Sequence, residues 1–83
     1  MSAAPLPTNT MRLHNAVQVT RQMAIAWTEP RGYMAGGQQY WSIDLIVSLP
    51  NGNQLFYTGH GGKVGHAKDQ ASSQVLQAFF PGF

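Results

Sequence analysis

The chain has 83 residues, 43% of them apolar, which makes one small domain near the lower size limit for a single core and leaves no room for a second. Cysteine is absent, so disulfides and thiolate metal sites are excluded, and packing and hydrogen bonds alone must hold the fold. Five basic residues against three acidic ones give a net charge of +2, a mild bias toward anionic partners that falls short of a basic stripe.

The opening MSAAPLPT has neither a basic n-region nor an apolar run of signal-peptide length, and no later stretch approaches the roughly 18 apolar residues of a membrane span. Residues 1–8 therefore read as a disordered tail and residues 9–83 as the one domain, with a cytoplasmic or nuclear rather than secreted location. From Asn9 onward Leu13, Ala16, Val17 and Thr20 recur at helical spacing, and Asn9 or Thr8 supplies the N-cap. In MAIAWTE, Ile25 and Trp27 alternate with Ala24 and Ala26 at the strand period. PRGYMAGGQQ has the proline and glycine content of a surface loop.

YWSIDLIVSL is the clearest strand, with Trp41, Ile43, Leu45 and Val47 on one face and Ser42, Asp44, Ile46 and Ser48 on the other. The PNGN that follows carries an Asn-Gly hairpin signal, so QLFYTG pairs antiparallel with it. Beyond the glycine-rich TGHGGKVG, Ala67, Ala71, Val75 and Ala78 form a small-residue stripe beside Leu76, Phe79 and Phe80, as in a helix lying close on a sheet. The expected fold class is α+β: an αβββα two-layer domain with a three-stranded antiparallel sheet and both helices packed on one face. Trp27, Trp41, Phe56, Phe79 and Phe80 are the aromatic core candidates.

Chemistry concentrates at the glycine-rich turn. Backbone N–H groups and the positive end of a helix dipole attract phosphate there, with Lys63 in the turn and Lys68 about one helical turn further on. The other reading of the same glycines is structural, a tight left-handed connection at a strand end. A nucleotide-binding P-loop is not matched, because Val64 stands where Ser or Thr would hold magnesium. No nucleophile has a base and an orienting partner, and the three histidines lack metal-ligand spacing. An enzyme is therefore not expected, nor a catalytic residue, metal, cofactor, small-molecule substrate or membrane partner. His60 and His66 flank the turn, either as solvated loop residues or as phosphate donors when protonated.

Laid over G-x-G-x-S-K-K-x-A-K-x-x-A-A-x-x-A-L without a gap, the chain supplies Gly59, Gly61, Ala67, Lys68, Ala71 and Leu76 as matches, with Ser72 and Val75 as small or apolar replacements. Its first helix gives Leu13, Asn15 and Gln18 against L-N-E-x-x-Q, and Trp41 stands where a Phe opens the second strand. On these residues, from about Asn9 to Phe80, the chain resembles a degenerate double-stranded RNA-binding domain, whose element order is αβββα. The resemblance implies recognition of A-form RNA by shape, across two minor grooves and the intervening major-groove phosphates. Asn15 and Gln18 would meet 2′-hydroxyls and base edges, and Lys63 and Lys68 the phosphates. Arg31, His60 and His66 would add to the surface.

The chain also departs from the pattern. Val64 and Gly65 replace two phosphate-binding lysines, and the G-P-x-H loop signature is missing, with Arg31, Tyr33 and Gln38 or Gln39 as substitutes. Asp69 beside Lys68 brings a negative charge near the phosphate path. The binding implied is weak and salt-sensitive. The alternative is a protein-interaction module of the same fold, pairing with itself or with another member of the family through Ile46, Leu55 and Tyr57.

Overall fold

The computed structural model describes residues 8–20 and 23–81. The tail expected over residues 1–8 lies, apart from Thr8, outside the described residues. Six elements follow in chain order: α1 (Asn9–Thr20), β1 (Ala24–Trp27), β2 (Arg31–Ala35), β3 (Gln38–Ser48), β4 (Gln54–Gly61) and α2 (Val64–Phe79). No helix among the described residues is long and apolar enough to cross a membrane.

The α+β class, the antiparallel sheet and the helical layer are as expected, but the strands number four. The difference has a simple origin. β1 and β2 both pair with β3 along the same edge, end to end, while β4 pairs with its other edge from Gly61↔Trp41 to Gln54↔Ser48. The sheet is thus three lanes wide, and its first lane is one strand interrupted by residues 28–30. Trp27 pairs with Leu45 and Arg31 with Ser42, so three residues stand opposite two, Ile43 and Asp44. One extra residue in a lane is a bulge, and it reverses which side chains face which layer. Ile25 and Trp27 therefore point to the helices, whereas Arg31 and Tyr33 point to the opposite, open face.

Thr28 closes the gap. Its N–H donates to the Asp44 carbonyl at 3.0 Å, and its hydroxyl accepts from the Asp44 N–H at 3.0 Å, standing in for a ladder carbonyl. Pro30, lacking an N–H, sits in the interruption where no ladder donor is required.

Most of the segment expected as a loop, PRGYMAGGQQ, is a β-hairpin instead. Gly36 and Gly37 turn it with φ of +57° and +78°, the left-handed pair that a two-residue hairpin needs. β4 stops at the level of Trp41, so residues 33–35 and 38–40 extend beyond it as a two-stranded arm.

The core lies between sheet and helices. Leu13 and Ala16 of α1, Ile43, Leu45 and Val47 of β3, and Ala67, Ala71, Val75 and Leu76 of α2 are buried. Ser72 is fully buried too, its hydroxyl without a hydrogen-bond partner among the described residues. Of the expected stripe on α2, Ala78 is exposed. Of the aromatic core candidates, Phe56 is 65% exposed, because its partner across the ladder is Ile46 and both lie on the open face.

Glycines at two positions let α2 lie close. A Cβ on Gly59 would overlap the Ala67 carbonyl oxygen and the Ala71 backbone nitrogen; one on Gly61 would stand 2.7 Å from the His66 Cβ and 2.9 Å from the Ala67 nitrogen. Neither has positive φ. The expected left-handed connection is therefore replaced by a different requirement, close approach of backbone to backbone. α2 also covers part of the outer edge of β4: Gln70 accepts from the His60 N–H, and Gln74 donates to the Thr58 carbonyl at 2.9 Å.

Candidate nucleic-acid interface

α1 begins with Thr8 as its cap, the Thr8 hydroxyl accepting the Met11 N–H at 3.2 Å. Burial of Leu13 and Ala16 turns Met11, His14, Asn15 and Gln18 outward together, a stripe at the i, i+3, i+4, i+7 spacing of one helical face. The two residues expected to meet RNA from this helix are thus both exposed and adjacent.

α2 starts at the end of β4 that lies beside Trp41, the end of the sheet from which the hairpin arm extends. Lys63 is its N-cap residue in extended conformation, and no side chain caps the helix. The first-turn N–H groups therefore face outward with the positive end of the dipole. Lys63, Gly65 and His66 are exposed, and the first turn holds no acidic residue.

Lys68 is placed differently. It is half-buried, and its ammonium lies 5.6 Å from the centroid of the Trp27 ring, a cation–π contact that spans from α2 to β1. Asp69, the expected source of repulsion, turns the other way. Its carboxylate accepts the Thr10 N–H at 3.0 Å and the Thr10 hydroxyl at 2.6 Å, while Asn9 donates to its backbone carbonyl at 3.4 Å. Asp69 thus ties the start of α1 to the second turn of α2. The other two acidic residues lie elsewhere, Asp44 on the open face and Glu29 exposed in the interruption of the first lane.

The open face carries the remaining sequence candidates. Arg31 donates to both oxygens of Asp44 at 3.3 Å, and the Thr58 hydroxyl donates to the same carboxylate at 2.8 Å. His60 flanks Ser42 from β4 and shares a 3.2 Å hydrogen bond with the Tyr33 hydroxyl, while Tyr33 stacks on Tyr40 with centroids 5.8 Å apart. Arg31 and His60 are therefore together, but on the side of the sheet away from the helices that carry Asn15, Gln18, Lys63, His66 and Lys68.

The surface expected for a protein partner is likewise divided. Ile46 lies on the open face, but Leu55 and Tyr57 point to the helices and are half-buried against the core. Phe56 is the large apolar residue that lies next to Ile46, and strict alternation along β4 was the signal for it. A groove of about 300 Å³, walled by Arg12, Leu76 and Phe80, lies between the start of α1 and the far end of α2, away from Lys63.

Compared with protein-family models and with curated proteins, the chain matches none.

Proposed function

We propose that the domain binds double-stranded RNA, without catalysis, through its helical side: the α1 stripe of Asn15 and Gln18 toward a minor groove, and the start of α2 toward the phosphates. One observation carries the reading. Asp69 is taken up by Thr10, so the uncapped start of α2 presents Lys63, His66 and Lys68 with no acidic residue in its first turn and, among the described residues, no ion pair to either lysine. A cluster of one sign beside unpaired N–H groups is what phosphate oxygens require.

The start of α2 supplies two permanent cations, Lys63 and Lys68, so few counterions are released. The logarithm of affinity for an RNA duplex of about 20 base pairs should fall with the logarithm of salt at a slope of roughly −2. Lys63→Ala combined with Lys68→Ala should remove the salt-sensitive binding and leave the helical and sheet content unchanged. Absence of duplex binding by the unaltered protein at low salt would refute the reading.

A second reading, pairing with another copy of the chain, is favoured by one rung of the open face. Ala26, Ile46 and Phe56 lie side by side across the three lanes. Phe56 stands tall and exposed while Ala26 leaves a low step, so a two-fold axis would set each Phe56 over the small residues of the other copy. The charges on this face are already paired within it, Arg31 with Asp44, so two such faces meet without an excess of one sign.

A further inference from the structure

We infer that Trp27 is a positioning residue for phosphate recognition, holding the Lys68 ammonium where the RNA backbone passes; this inference rests on the duplex reading above. The observations come from three parts of the fold. Lys68 Nζ lies 5.6 Å from the Trp27 centroid. Trp27 is the last residue before the interruption of the first lane, and its pairing with Leu45 puts its ring on the helix side, under α2. Among the described residues Lys68 makes no ion pair, the one salt bridge being Arg31 with Asp44 on the other face.

Together these give the lysine an unusual status. A carboxylate partner would hold a lysine in one direction only at the cost of offsetting its charge. Here an uncharged ring supplies the direction, so the charge stays available. An ammonium resting on a ring face keeps N–H donors pointing away from the ring, and holding it there beforehand lowers the rotamer entropy lost when a phosphate arrives. In a site with two permanent cations, the readiness of one of them is a large part of the affinity.

A double-mutant cycle on an RNA duplex of about 20 base pairs tests this, with circular dichroism confirming the fold of each variant. Trp27→Leu should weaken binding about 2–5-fold at fixed salt while the salt slope stays constant, because Lys68 still neutralises a phosphate. Lys68→Met should reduce the magnitude of the slope by about one. In the Lys68→Met background, Trp27→Leu should then cost nothing further, and Trp27→Tyr, which keeps an aromatic face, should bind within about 2-fold of the unaltered protein. An equal loss in both backgrounds would show that Trp27 acts only through packing, and tighter binding by Trp27→Leu would show that the ring withholds the lysine. Either result overturns the inference and leaves the duplex reading standing, whereas an unaltered protein that binds no duplex at low salt removes both. If Trp27→Leu fails to fold, Trp27→Phe, with its weaker ring, takes its place in the cycle.

Discussion

Gly59 shows how a single missing side chain sets the distance between two layers. Its Cα faces the backbone of α2 at Ala67 and Ala71, so a methyl group there meets peptide atoms on a helix and cannot be relieved by a rotamer change. Gly59→Ala should therefore cost about 3 kcal/mol or more, at the upper end of what overpacking does, in a domain small enough to have little stability to spare. Urea denaturation measures it; a cost under about 1 kcal/mol would mean that α2 shifts freely on the sheet. The glycines of TGHGG were legible as a feature but not as a mechanism. A left-handed turn and a close approach both demand the absence of Cβ, and only the backbone dihedrals separate them. The roles of Lys68 and Asp69 were hidden for a related reason. They are neighbours in the chain, yet successive helix residues point about 100° apart, so one reaches the Trp27 ring and the other the start of α1.

The first lane of the sheet is the element whose form the sequence least revealed. Ile25 and Trp27 alternate cleanly, but the run stops at residues 28–30 and resumes with the opposite phase, which period counting reads as the end of a strand. Thr28 joins the two pieces through its hydroxyl. Thr28→Val keeps the shape and removes that acceptor, leaving the Asp44 N–H unpaired; the expected loss is about 1–2 kcal/mol, with faster hydrogen exchange at the Asp44 amide. Unchanged exchange there would show that the interruption does not depend on the hydroxyl. The Gly-Gly pair in the arm was a readable hairpin signal. It was masked because residues 31–39 are all exposed, so no burial alternation frames it. By contrast β3 and both helices were legible in order and in phase, since each buries one face against the core and writes that burial as a period in the sequence, whereas β4 was legible as a strand but not in phase, because Leu55, Phe56 and Tyr57 are large on both faces.

For the molecule as a whole, the sheet separates two surfaces of different chemistry. The helical side holds both lysines among the candidates, whereas the open side holds a neutral polar and aromatic field with Phe56 exposed. The pairing reading predicts that Phe56→Gln converts a dimer seen by light scattering at high protein concentration into a monomer while duplex binding is unchanged. A protein monomeric at every concentration before the substitution would dismiss it. The α+β class and the outward turn of Asn15 and Gln18 were foreseen in the residues, because Leu13 and Ala16 set the buried side of α1 by simple helical geometry. The split of Arg31 and His60 from the rest was not, because it follows from one inserted residue in a lane.

The two glutamines of α2 that grip β4 have a consequence for how copies of this protein meet. A stranger seeking to zip onto that border at Thr58 and His60 finds the carbonyl and the amide already engaged. Growth sideways into a ribbon is blocked along this stretch, so under the pairing reading the broad flat surface is the one left for a second copy to meet.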